Sequence, residues 1–103
     1  MGRAIVRPAA QRDLIRHCAY IGENGSLATA RRFLVAARLT FAELAQMPSM
    51  GAPRKIGKFP NLRMWRIREF EKYLIFYEPA GDNVEILRVI HAAQDYNRVL
   101  NMP

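Results

Sequence analysis

Apolar residues recur along this chain with two periods, and the change of period separates a helical first half from a stranded second half. Ala4-Ile5-Val6 is a short apolar run that reads as a strand, and Pro8 stops it. The residue before a proline is held extended, while proline itself suits the first turn of a helix. From Pro8 to about Ile21 the residues Ala10, Leu14, Cys18 and Ile21 recur at spacings of four, four and three, the stripe of an amphipathic helix. Gly22 and Asn24-Gly25 then predict its end and a turn.

A second helix has a clearer start. Ser26 is a good N-cap because its hydroxyl accepts from an otherwise orphan backbone N–H. Leu27, Ala30, Leu34, Ala37, Phe41 and Leu44 follow as a continuous apolar seam, which Phe33 and Met47 widen. Arg31, Arg32, Arg38 and Glu43 fall off the seam, and Met47-Pro48 closes the helix before a turn through Ser49–Pro53. On this reading, truncating Leu34 to Ala removes about 2–5 kcal/mol of stability.

Beyond the turn the period shortens. Leu62-Arg63-Met64-Trp65-Arg66-Ile67 reads as a strand, Glu69–Lys72 as a connection, and Tyr73-Leu74-Ile75-Phe76-Tyr77 as a second strand. The turn-prone Pro79–Asn83 leads into Val84–His91, so the last two strands form a hairpin. Asp95 is a candidate N-cap for a short helix from Tyr96 to Leu100. The expected fold is α+β with two layers: a helical hairpin packed on a mainly antiparallel four-stranded sheet, in the order βααβββ, forming one domain over 1–103.

The last strand carries an anomaly. Strict alternation places Arg88 on one face with Val84, Ile86 and Ile90, and His91 on the other with Leu87 and Val89. Polar groups in such company need a partner or a use. Asp95 and Glu78 are the expected structural partners of Arg88.

Sixteen Lys and Arg against nine Asp and Glu give a net charge of +7. Such an excess favours anionic partners: nucleic acid, an acidic protein segment or a membrane surface. Six basic residues and no acid lie between Arg54 and Arg68. Cys18 is the sole cysteine, so an internal disulfide and a Cys-rich zinc site are both excluded. The arginine-studded start does not read as a signal peptide, and no apolar run reaches the length of a membrane span, so the expected compartment is the cytoplasm.

Metal binding is not expected, because His17 and His91 have no neighbours at ligand spacing. Neither a nucleophile elbow nor a glycine-rich phosphate loop is present, and no cofactor is expected. RNA cleavage needs a base and positive charge at the phosphate. Arg63, Arg66, Arg88, His91 and Tyr96 are the available set. Trp65, Tyr73 and Tyr77 beside the basic strand offer stacking surfaces, although aromatics in mid-strand are usually core.

With these elements placed, the chain resembles the ParE branch of the RelE/ParE superfamily, the toxins of type II toxin–antitoxin pairs. The resemblance rests on an ordered set of residues. Ala10-Gln11-Arg12-Asp13-Leu14 is followed by Tyr20, and Leu44, Pro48, Gly51 and Pro53 close the second helix. Arg63 opens a strand, Ile75-Phe76-Tyr77 ends the next, and Ile86–His91 precedes Asp95. The resemblance implies the βααβββ fold and a cytoplasmic toxin that poisons DNA gyrase by binding, with no catalytic site of its own. It also implies neutralisation by a ParD-like antitoxin in a hetero-oligomer, whose acidic amphipathic segment the toxin would bind. The alternative within the superfamily is a RelE-like ribosome-dependent mRNA endoribonuclease, for which Arg88, His91 and Tyr96 would be catalytic. Ala92, Ala93 and Gln94 stand where such nucleases carry extra basic residues. For target or antitoxin binding, the expected residues are Arg63, Trp65, Arg66, Arg68, Tyr77, Arg88, His91, Tyr96 and Arg98.

Overall fold

The computed structural model describes residues 2–101. Its elements are β1 (Ala4–Val6), α1 (Pro8–Asn24), α2 (Leu27–Gln46), β2 (Ala52–Pro53), β3 (Arg63–Ile67), β4 (Phe70–Ala80), β5 (Asn83–His91) and α3 (Tyr96–Asn101). The sheet runs β1-β5-β4-β3-β2, with β1 parallel to β5 and every other pair antiparallel. It therefore has five strands rather than four. The extra one is the two-residue β2, which the turn-forming sequence around Pro53 concealed.

Helices α1 and α2 occupy one face. Ser26 caps α2 as expected, its hydroxyl accepting from Thr29 N at 3.0 Å. Helix α1 runs three residues past Ile21, because Gly22 is accommodated inside it and the chain turns at Gly25 instead. The buried stripe of α2 is rotated from the expected seam. Phe33, Ala36, Ala37, Thr40, Phe41 and Leu44 are buried, whereas Leu34 is only half-buried and Leu27 is 71% exposed. Two faces of α2 are apolar, and only packing decides between them. The large truncation penalty thus moves from Leu34 to Phe33, whose ring meets Tyr73 and Phe70 edge-on.

The main core lies between the helices and the sheet, with Leu14, Phe33, Phe41, Ile67, Ile75, Tyr77, Ile86 and Val89 at its centre. A smaller core covers the opposite face, where Ile56, Leu62, Leu74, Phe76, Ile90 and Leu100 meet under α3 and the loop before β3. Burial on both faces accounts for the nearly unbroken apolar run of β4.

A bulge in β5 overturns the simple alternation. Phe76 pairs with Arg88 and Tyr77 with Ile86, leaving Leu87 as the extra residue. Val84, Ile86 and Val89 consequently share the helix face, while Ile90 and Leu87 join the smaller core. Arg88 lines a shallow groove on that second side with Leu87, Phe59, Val99 and Leu100.

Candidate docking surface

The polar residues of α1 and β5 explain one another. Strand β1 accompanies β5 only as far as Val6 opposite Ile86. Beyond that point, two side chains of α1 take the place of the missing strand. The Asp13 carboxylate accepts from Val89 N at 2.9 Å, and His17 Nε2, four residues on, donates to Val89 O at 2.8 Å. One helical turn separates the two, so a single face of α1 satisfies both backbone groups of Val89.

Asp13 also accepts from Arg88 Nε at 2.7 Å and Nη2 at 2.9 Å, and from Arg16 Nη2 at 2.8 Å. The carboxylate is buried, and its paired hydrogen bonds push the Arg88 guanidinium still further above its ordinary range. Arg88 is therefore paired, but with Asp13 rather than Asp95 or Glu78. Those two are used elsewhere: Asp95 Oδ1 accepts from Arg98 N at the start of α3, and Glu78 Oε2 accepts from Asn61 N. Burial lowers the pKa of His17, whose ring sits edge-on to Tyr73 and Phe33. Sequence reasoning passed over Asp13 and His17 as interior functional groups. Their spacing of four on the apolar side of a helix was the available signal.

The nuclease set does not converge. His91 packs on Tyr73 at 4.9 Å, on the helix side of the sheet, and its Nδ1 accepts from Ala93 N. Tyr96 lies against Phe76 at 5.3 Å, on the opposite side. Arg88 is committed to Asp13. His91 and Tyr96 are thus separated by the sheet.

The residues expected at the binding surface divide into two groups. Tyr77 is fully buried, its hydroxyl donating to Pro48 O at 2.7 Å and accepting from Gly51 N at 2.9 Å. Burial also raises its pKa, and it is a structural tie rather than a contact residue. Gly51 is required there, because a Cβ would stand 2.6 Å from the Tyr77 hydroxyl and 2.8 Å from Met64 O. Arg63 donates to Ser49 O and Gly51 O from the same corner. Arg68 is paired with Glu43 on α2. Arg98 is exposed on α3.

Trp65 and Arg66 remain. Both are exposed on β3, where a groove of about 590 Å³ opens along the strand's outer edge. Met50, Ala52, Met64 and Ile67 supply its apolar lining. Arg54 lies at one end, beyond β2, and at the other lie Glu69, in the turn that follows Ile67, and Glu71, in β4. A groove with an apolar floor bordered by charges of both signs, the Arg68–Glu43 pair among them, can take a peptide. Among the described residues, no group of three or more His, Cys, Asp or Glu could hold a metal ion. No helix there is long and apolar enough to cross a membrane.

Fold and surface together define a small α+β protein with a groove along one edge of its sheet. Its sequence matches the family model described as "ParE toxin of type II toxin-antitoxin system, parDE" over residues 4–96, and the chain belongs to that family. The fold resembles a chain of the solved structure described as "Chromosomal ParDE TA system from P. aeruginosa". That likeness has a TM-score of 0.71 at 18% identity and covers 88% of this chain and 95% of that one. A search of curated proteins found no match to the sequence.

Proposed function

We propose that this ParE-family toxin acts by binding DNA gyrase, without a catalytic site of its own, and is held inactive by a ParD-like antitoxin. The observation that carries the non-catalytic reading is the separation of Arg88, His91 and Tyr96. The first is locked to a buried carboxylate, and the other two lie on opposite faces of the sheet. The exposed pair Trp65 and Arg66 supplies a contact surface in their place. Both proposed partners belong to the cytoplasm, which is the compartment this reading assigns.

The helix layer supports the antitoxin half of the proposal. Its outer surface exposes Ile15, Val35 and Leu39. Arg12, Arg16, Arg31 and Arg38 are exposed around them. Apolar anchors within positive charge suit an acidic amphipathic segment.

The test sets two activities side by side. Purified protein is expected to alter gyrase supercoiling or to accumulate gyrase-linked DNA breaks, and to leave ribosome-bound mRNA intact. Unchanged gyrase activity together with cut mRNA would overturn the proposal in favour of the endoribonuclease.

A further inference from the structure

We propose that the side of the sheet covered by α3 is a contact surface for duplex DNA, which Lys55, Lys58, Arg66 and Arg98 hold by its phosphates. This deepens the gyrase reading above, because an enzyme that works on DNA presents both partners together.

The loop before β3 mixes anchors with charges. Ile56 and Leu62 are buried in the smaller core, while Lys55 and Lys58 are exposed. Gly57, at φ 64°, rests against the end of α3, where a Cβ would stand 2.9 Å from Leu100 O. The loop is thus seated on the helix, and it carries its lysines there. On α3, Tyr96, Val99 and Leu100 pack inward and Arg98 is exposed. Arg66 joins them from the sheet. It lies opposite Leu74, a residue of the same small core, so its side chain leaves β3 on the α3 side. Four cations from three elements therefore rim one small core.

None of the four has an acidic side chain as a partner among the described residues. The ion pairs there join Arg7 to Glu85, Arg16 and Arg88 to Asp13, and Arg68 to Glu43. Glu78 and Asp95, the acids that border the loop and α3, accept from the backbone N–H groups of Asn61 and Arg98 instead.

The opposite side of the protein shows what kind of anion this surface fits. There the arginines of α1 and α2 surround exposed Ile15, Val35 and Leu39, a mixture suited to an amphipathic peptide. The loop before β3 and α3 expose no large apolar side chain. Charge without apolar anchors matches a partner whose own surface is a row of phosphates. Single strands are gripped by stacking their bases on exposed rings. Here Phe59 is half-buried, and Tyr96 lies against Phe76. The duplex is the form that remains.

The experiment follows the anisotropy of a short fluorescent DNA duplex with the full chain, between about 50 and 200 mM salt. Log affinity is expected to fall with log salt at a slope of about −3 to −4, from four contacts at about −0.9 each. The triple variant Lys55→Gln, Lys58→Gln, Arg98→Gln should bring the slope to about −1 and weaken binding by about tenfold or more at the lower salt. Arg12→Gln, Arg31→Gln and Arg38→Gln together remove the same charge from the helix layer and should leave slope and affinity unchanged. Far-UV circular dichroism checks that both variants are folded. Equal losses in the two variants would reduce the binding to net charge and overturn the surface. Preference for a single-stranded RNA of the same length would overturn it too. Gyrase binding is measured in parallel by calorimetry without DNA. Gyrase bound with the duplex unbound would remove this surface and leave the gyrase reading standing. A duplex bound as expected, with gyrase neither bound nor inhibited, would support the surface and remove that reading.

Discussion

Strand β5 outruns its neighbour β1 after Ile86, and β3 outruns β2 after Met64, yet the two exposed edges are finished in opposite ways. Along β5, helix α1 supplies Asp13 and His17 as substitutes for a strand, and both backbone groups of Val89 are satisfied inside the protein. Along this side of β3 no strand pairs beyond Met64, the chain before Ala52 is tied down at Gly51, and Arg66 is left exposed beside a groove of mixed lining. An edge closed by side chains serves stability. One left open in an ordered protein is a place for a partner, provided that it is short and charged enough not to recruit copies of itself.

That contrast breaks most sharply at Asp13. Asp13→Ala strands a half-buried guanidinium and the Val89 N–H together, and a loss of about 3–5 kcal/mol is expected by urea denaturation. A loss below about 1 kcal/mol would mean that the β5 edge does not depend on α1.

Tyr77→Phe acts on the other edge. It leaves Pro48 O and Gly51 N without their shared hydroxyl and should remove about 1–3 kcal/mol. It should also raise amide exchange around Gly51, since the hydroxyl fixes where β2 begins.

His17 sharpens the comparison through pH. Its pKa is lowered in the folded protein, chiefly by burial, so the unfolded chain binds a proton there more readily. The stability it confers is complete above the ordinary value of 6.5 and is lost as pH falls below it. His17→Gln keeps a donor for Val89 O, and the slope of stability against pH in that window is expected to flatten. An unaltered slope would assign the titration elsewhere.

The smallest effect belongs to the open edge. Arg66→Glu should change the stability of the isolated protein by less than about 0.5 kcal/mol. A large loss would show that Arg66 serves the fold rather than a partner.

Much of the fold was legible in the sequence because its signals are local. Ser26 and Asp95 cap helices where cap residues were read, and the β4–β5 hairpin turns within the Pro79–Asn83 stretch. Helix α2 shows the limit of such signals. Its sequence carries apolar residues on more than one face, so Leu34 and Phe33 could not be ranked until the sheet was placed beneath them. Strand β2 escaped notice because two residues ending in proline carry no periodicity. The site was less legible still. Trp65 and Arg66 were read as contact residues and are exposed, but Tyr77, from the same pattern of aromatics and arginines, is wholly buried. Nothing local tells a tyrosine that ties down a loop from one that meets a partner.

By itself the sequence determined the order of elements, the amphipathic helices, the basic character of the chain and the motif set that marks its family. These follow from periodicity, capping and charge, each of which acts over a few residues. Only the tertiary structure decided what Arg88 does. Its partner lies 75 positions away on α1, and the bulge at Leu87 changes the face on which it sits. Long-range pairing and a single inserted residue leave no periodic trace, so the closing of one sheet edge and the opening of the other are properties of the folded chain alone.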